Sequence, residues 1–556
     1  MNRWPAAGWR RWAALLFGLY ILLYVVPLEQ RPLLRREEVR YGQLAREMVQ
    51  SGDWIVPHLN GIRYFEKPVL GTWLNALSIR AMGDTRTAVR LPGILSTGLT
   101  ALFLFAFLCR RTGSPGVGLL AAGIFLSAAG VFGIGNEAVL DTPLLLFLTL
   151  GLGSFYEACL VGGWVRTLWL ILAGILCGLA ALTKGFVAFA VTGVVALPFL
   201  AWERRWRDMW VMPWLPALTA AAVILPWALA VHAREPDFWR YFFWVEHVQR
   251  FLGEHAQHAR PGWYFTAWFL PLALPWALLI PAVIRGLRRP TVERRLLRYL
   301  LVWFVMPFVF FSLSRGKLLT YILPCFPPFA MLGALGLRHY CSADTDRWLR
   351  YGAAAGACLF AALLAGLVAV QISGQWQPVF GPGETARWLL LAAVLALAVA
   401  AFTVAARSRV GRRSLAWFGC ALLPFYLAVG LTRALPEKLL AERMPGELLR
   451  SVRAVTSSDA MIVSDARYFR SVAWFFDRAD ILMLDKGELA YGLTYADSRS
   501  RLLGREGLLR LLAQAPSNRP VLIIIGKRTA RDLGLVFPAT GTLTERGEMI
   551  VWRSRD

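Results

Sequence analysis

Apolar residues gather in runs of about 20, the length that crosses a hydrocarbon layer as one helix, and basic or polar residues interrupt them. On that rule spans are predicted near 12–28, 89–109, 115–133, 142–162, 167–183, 185–202, 211–232, 264–285, 297–314, 318–337, 350–371, 386–406 and 415–433, about thirteen in all. The first follows Arg3, Arg10 and Arg11 with no small-residue cleavage site after it, so it reads as an uncleaved anchor. With the N-terminus in the cytoplasm, roughly 22 basic residues fall in short loops on that side and about four opposite (Lys184, Arg315, Lys317, Arg387). An odd number of spans then puts the C-terminus outside. Three polar segments share that outer face: about 29–88, about 233–263, and the tail from 436. The organisation expected is a transmembrane domain over 1–435 and an outer domain over 436–556.

The tail changes period. Short β-like runs occur at Ala460–Val463, Ile481–Leu484, Val521–Ile525 and Met549–Trp552, with a helical pattern at Glu506–Ala513. A small α/β domain is expected there.

Composition agrees with the spans. Of 556 residues 57% are hydrophobic and only 17% charged, and mean hydropathy is +0.50. An ordinary soluble enzyme carries about a quarter charged residues, and a disordered chain lacks such apolar content. The 60 Lys and Arg against 35 Asp and Glu leave +25, which in this context points to anionic membrane lipid and not to nucleic acid. The seven cysteines form no CxxC pair and read as small buried hydrophobes.

Charges that crowd one membrane face are candidates for chemistry. In RREEVRYGQLAREM, Tyr41, Leu44, Ala45 and Met48 follow the period of an amphipathic helix lying in the interface, and Glu37, Arg40 and Tyr41 share one face. A solvated surface helix with one internal ion pair satisfies the same pattern. SGDWIVPHLNGIRYFEKP adds Asp53, His58, Arg63, Tyr64, Glu66 and Lys67. GIGNEAVLDTP places Glu137 and Asp141 at the mouth of a helix, where Asp141 before Thr142-Pro143 also suits an N-cap. Between 237 and 264 aromatics alternate with Arg240, Glu246, His247, Arg250, His255, His258 and Arg260. These histidines lack HxxxH or HExxH spacing, so no metal is required by pattern; if a divalent ion binds, Glu66 with His247 is the pair to hold it. SRGKLLTYILPCF sets Arg315, Lys317 and Tyr321 at a membrane edge, a combination suited to phosphate. No P-loop, GxGxxG or hydrolase triad motif appears.

These stretches, with LTKGF, FWRYFFWVEHVQRF and GELAYGLTYAD (Gly487–Asp497), carry a resemblance that runs almost end to end. The chain resembles the GT-C class of lipid-to-lipid glycosyltransferases, and within it the 4-amino-4-deoxy-L-arabinose transferases of lipid A; the protein O-mannosyltransferases are more distant relatives. The family opens its first motif with Asp-Glu, where this chain has Glu37-Glu38, one methylene longer. The resemblance implies a polytopic α-helical GT-C fold with a periplasmic α/β domain, in the bacterial inner membrane, acting as a monomer without a required cofactor. It implies inverting transfer of aminoarabinose from undecaprenyl phosphate to a lipid A phosphate, with resistance to cationic peptides as the consequence. Glu37, Glu38 and Asp141 are then the catalytic carboxylates. Arg40, Tyr41, Tyr64, Lys67, Arg250, Arg315, Lys317 and Tyr321 would hold substrate phosphates. A transporter and a protein O-glycosyltransferase are the competing classes; the first is disfavoured by the absence of repeated halves.

Overall fold

The computed structural model describes residues 9–29, 33, 36–243, 259–289, 293–341, 346–373, 376–408, 413–423, 426, 433–443, 445–513 and 519–554. The chain forms two compact units, one from 1–30, 92–230 and 243–434, the other from 31–91, 231–242 and 435–556.

The first unit is helical. Among the described residues, eight helices are long and apolar enough to cross a membrane: Arg86–Thr112, Asp141–Leu160, Gly163–Lys184, Trp206–Arg234, Arg294–Leu313, Leu319–Cys341, Arg347–Ile372 and Thr385–Arg407. Ten result if two bent pairs each count as one span: Pro115–Ser127 with Ala129–Gly135, bent by 67°, and Tyr264–Leu272 with Trp276–Leu287, bent by 94°. The other three predicted segments are helical but shorter or incomplete. Val187–Trp202 has 16 residues, Trp9–Tyr20 continues as a π-helical turn over Ile21–Val25, and the last begins as Arg413–Ala421 before leaving the described residues. An apolar run fixes which residues avoid water, not whether the helix through them stays straight.

Two buried tyrosine hydroxyls inside this unit find partners across helices, where no water would serve them. Tyr24 donates its hydroxyl to the Leu126 carbonyl at 2.8 Å, and Tyr299 to that of Leu152 at 2.6 Å. The basic residues counted for orientation also tie helix ends together. Arg205 and Arg295 both donate to the Cys159 carbonyl, at 2.8 and 3.0 Å, while Arg298 holds Glu203 at 2.9 Å.

The second unit contains the predicted α/β tail. Its sheet runs in the order β4 (Leu482–Met483), β3 (Met461–Ser464), β5 (Val521–Gly526), β7 (Met549–Ser554), β6 (Gly541–Arg546). The first three are parallel, and β7 is antiparallel to both of its neighbours, β5 and β6. Alternation along β5 explains the layers. Leu522 and Ile524 pack with Leu449, Val472 and Phe476 on one face, and Val521, Ile523 and Ile525 with Leu508 and Leu512 on the other. Within this sheet, β6 (GTLTER) has no signal in the sequence: it is an exposed edge with no apolar face to betray it.

The loop segments fold into this same unit. Helix Arg36–Ser51 packs against Leu70–Met82 and against Phe469–Phe476 of the tail. Tyr41, Leu44, Ala45 and Met48 are at most 6% exposed, so the apolar stripe expected at the lipid interface faces protein instead. Gly42 permits the approach: a Cβ there would lie 2.9 Å from the Trp474 ring and 3.2 Å from Val89. One turn on, the Arg46 guanidinium lies 3.8 Å from the centre of the Trp474 ring and donates to the Trp474 carbonyl at 2.9 Å. A two-residue hairpin pairs β1 (His58–Leu59) with β2 (Ile62–Arg63). Its turn residues Asn60 and Gly61 both have positive φ, 58° and 68°, the pattern that favours Asn-Gly. Arg63 then ties in the segment 231–242, donating to Glu235 at 2.6 Å, and reaches Asp497 of the tail at 2.7 Å.

Candidate functional site

The sequence-derived candidates separate into two clusters, one in each unit.

In the second unit, helix Arg36–Ser51 and the loop after the hairpin bring Arg40, Tyr41, Tyr64, Glu66 and Lys67 together. Arg40 lies over the Tyr41 ring, 4.8 Å from its centre, and donates to the Tyr41 hydroxyl at 3.1 Å. Its other terminal nitrogen donates to Glu488 at 2.8 Å. Glu488 also accepts from Arg470 at 2.9 Å. Burial alone would raise the Glu488 carboxyl; Arg40 and Arg470 outweigh it and hold the carboxyl below its ordinary range. Tyr64 is buried and donates to Glu66 at 3.0 Å, while Lys67 donates to the Glu66 backbone carbonyl at 2.9 Å. Burial pushes the Tyr64 phenol up, so it remains a protonated donor at neutral pH. Cations and tyrosine hydroxyls in one largely dry cluster can bind a phosphate, because each can donate a hydrogen bond to its oxygens.

The acidic pair behaves unequally. Glu37 is exposed. Glu38 is fully buried and grips Arg90 with both oxygens, at 2.7 and 3.1 Å. An ion pair so enclosed fixes the helix against the start of helix Arg86–Thr112, and it holds Glu38 away from water. Two residues beyond the original candidates complete the cluster, Glu488 and Arg470. Glu488 was visible only inside GELAYGLTYAD, where no period marks its direction. Glu47 was also missed. It accepts from the backbone amides of Asn60 and Gly61, at 2.7 and 2.8 Å, and from Gln43 at 2.7 Å. Burial raises its carboxyl to about 7 despite these donors.

In the first unit, Asp141 opens helix Asp141–Leu160 but caps nothing with its side chain; the cap position is Leu140. Its carboxylate instead meets Lys184 at 2.6 Å. Lys184 ends helix Gly163–Lys184, and its ammonium lies 5.0 Å from the centre of the Tyr321 ring. The capping role expected from Asp-Thr-Pro thus yields to an ion pair, in which each charge is mostly buried and needs the other. Lys317 is 3% exposed; it donates to the backbone carbonyls of Ser314 and, at 3.2 Å, Arg260. Burial lowers its ammonium from the ordinary lysine value. Arg315 points into the open, with its backbone carbonyl accepting from the Arg260 amide at 3.2 Å. The two adjacent cations therefore occupy different environments, a distinction their spacing did not carry.

Arg250 and His247, with Glu246, His255 and His258, lie outside the described residues. Among the described residues no three His, Cys, Asp or Glu side chains gather to hold a metal ion. Glu66, the other half of the pair considered for a divalent ion, accepts from Tyr64.

Comparisons with known proteins give the lineage. Residues 12–242 match the family model of dolichyl-phosphate-mannose-protein mannosyltransferases, and residues 440–553 match that of the C-terminal domain of arabinosyl transferase ArnT. The undecaprenyl phosphate-alpha-4-amino-4-deoxy-L-arabinose arabinosyl transferase of Aeromonas salmonicida is 38% identical over 550 residues, covering 97% of each chain. That of Yersinia pestis is 38% identical over 522 residues, covering 92% of this chain and 93% of the relative. The crystal structure of ArnT from Cupriavidus metallidurans bound to undecaprenyl phosphate superposes with a TM-score of 0.81, covering 98% of each chain at 20% identity. That likeness establishes the GT-C-type membrane fold with its sheet-containing C-terminal domain. The sequence identity across nearly the whole length establishes the lineage: the chain belongs to the undecaprenyl phosphate-alpha-4-amino-4-deoxy-L-arabinose arabinosyl transferases, a family of membrane-embedded glycosyltransferases.

Proposed function

We propose that this chain transfers 4-amino-4-deoxy-L-arabinose from undecaprenyl phosphate to a phosphate of lipid A, with inversion, as a monomer at the periplasmic face of the inner membrane. The observation that carries the reading is the cluster of Arg40 and Lys67 with the hydroxyls of Tyr41 and Tyr64, in a chain similar end to end to arabinosyl transferases named for that donor. Donor and acceptor both present phosphate, so bringing them together costs like-charge repulsion. Fixed cations offset it and stabilise the phosphate that leaves. Arg250, Arg315, Lys317 and Tyr321 are assigned to the same task of holding phosphate.

A phosphate acceptor is already largely ionised near neutral pH and needs little deprotonation. The carboxylates therefore serve chiefly to hold the donor's ammonium group and to stabilise positive charge at the anomeric carbon, with base catalysis secondary. Glu37, exposed on its helix, fits this task directly; Asp141 is assigned to it as well, with the donor's ammonium competing for the carboxylate that Lys184 holds. Glu38 serves it only indirectly, through the Arg90 pair that fixes the helix bearing Glu37 and Arg40. The positive charge comes from side chains, so no cofactor is required; Glu66 with His247 is the pair a divalent ion would take.

Purified protein reconstituted in liposomes with the lipid-linked donor and lipid A, without any ion gradient, should form glycosylated lipid A, and EDTA should leave the rate unchanged. Movement of the donor across the bilayer without product would favour a transporter. Glycosylation of a peptide acceptor would favour a protein O-glycosyltransferase. A periplasm-dependent reporter fused after Asp556 should be active in cells.

A further inference from the structure

The C-terminal domain contributes one carboxylate to the cation cluster. Glu488 lies in the short helical turn Gly487–Leu489 that follows β4, and its two oxygens are divided between two guanidinium groups. One accepts from Arg40 at 2.8 Å and the other from Arg470 at 2.9 Å, with all three side chains only 13–14% exposed. Arg470 belongs to the same domain, on helix Phe469–Phe476, and could neutralise Glu488 by itself. The contact with Arg40 is the one that leaves the domain's own sequence and reaches the helix of the first motif. Arg40 needs such an anchor. Its side chain has several rotatable bonds, and a planar fork binds phosphate well only when its orientation is held. Tyr41 supplies a surface under the guanidinium and one acceptor. Glu488 supplies the second acceptor from the opposite chain segment. Three cations, Arg40, Arg470 and Lys67, stand against the carboxylates of Glu488 and Glu66, so the cluster keeps positive charge for an anionic ligand.

We infer that Glu488 is a positioning residue for the transferase: it fixes Arg40 in the orientation that receives the phosphate of the lipid-linked donor, which makes the C-terminal domain part of the donor-binding machinery. This rests on the reading of Arg40 as a phosphate ligand.

The test uses the full chain, reconstituted, with the undecaprenyl-phosphate-linked donor titrated at saturating lipid A. Glu488→Gln should raise KM for the donor about tenfold, the equivalent of one lost charged contact, with kcat within about threefold. Glu488→Asp, which keeps the charge but cannot span both guanidiniums, should raise KM about threefold. In the Arg40→Met background, adding Glu488→Gln should change KM by less than about twofold, since the residue acts through Arg40. Equal penalties in both backgrounds would overturn the positioning role while leaving the phosphate reading intact. So would an unchanged KM in Glu488→Gln. Should Glu488→Gln fail to fold, Glu488→Asp decides alone: a raised KM supports the inference and an unchanged KM overturns it. An unchanged KM and kcat in Arg40→Met would remove the phosphate reading and the inference with it.

Discussion

Asp141 and Lys184 form an ion pair at 2.6 Å, each side chain no more than 16% exposed. Removing one partner leaves the other charge enclosed without its counterion, which typically costs about 3–5 kcal/mol. Lys184→Met should therefore lower the melting temperature of the detergent-solubilised protein markedly, and Asp141→Asn/Lys184→Met should recover part of the loss. Equal melting temperatures for wild type and Lys184→Met would show that the pair contributes nothing. Glu47 gives a pH-dependent case. Its folded carboxyl titrates near 7, above the unfolded value of about 4.3, so the folded state binds the extra proton. That contribution is complete below the unfolded value and disappears as pH rises through about 7. Stability should fall from pH 5 to 7.5 more steeply in wild type than in Glu47→Gln, measured by thermal melts across that range. Parallel slopes would refute the assignment. Neither residue's environment was legible in sequence. Spacing put Asp141 at a helix start, where capping is the usual role, and gave no means of seeing that Lys184 ends a separate helix beside it. Nothing in the spacing around Glu47 shows that the Asn60-Gly61 turn folds over its carboxylate.

At the scale of elements, the period of helix Arg36–Ser51 identified its apolar stripe but not what covers it. Tyr41, Leu44, Ala45 and Met48 lie on that stripe as read, yet they meet protein where lipid was expected, because Phe469–Phe476 sits more than 400 residues away in the chain. Gly42 is the point of closest approach. Gly42→Leu would drive a branched side chain into Trp474 and Val89. Overpacking of this kind costs about 1–3 kcal/mol. Limited proteolysis should then release the C-terminal domain faster than from wild type; an unchanged cleavage rate would mean the helix pair does not restrain the domain. The strands β3, β4, β5 and β7 were legible because each is a short apolar or β-branched run bounded by polar residues. β6 was not, since Thr-Leu-Thr-Glu presents no buried face and is placed by its pairing with β7. The bend after Ser127 was equally silent, while the one near residues 273–275 is marked by Pro271 and Pro275, which the length of an apolar run does not weigh.

For the whole molecule, the apolar runs and the basic bias of short loops conveyed the membrane fold, and the break in period at 436 marked the start of the tail. What the chain's linear order could not convey is that segments 31–91, 231–242 and 435–556 form one compact unit. Sequence proximity groups residues within a loop; here Arg40 of the first segment shares a carboxylate with Arg470 of the last. If fixed cations in this unit allow a lipid-linked aminoarabinose to be passed to a lipid A phosphate, removing them should abolish the product. The most direct measurement is mass spectrometry of lipid A from cells lacking their own aminoarabinose transferase but supplied with the lipid-linked donor, expressing either the wild-type chain or Arg40→Met/Lys67→Met at equal membrane abundance. The wild-type chain should add the mass of one aminoarabinose to lipid A, and the double variant should leave lipid A unmodified. Lipid A equally modified by both would contradict the account.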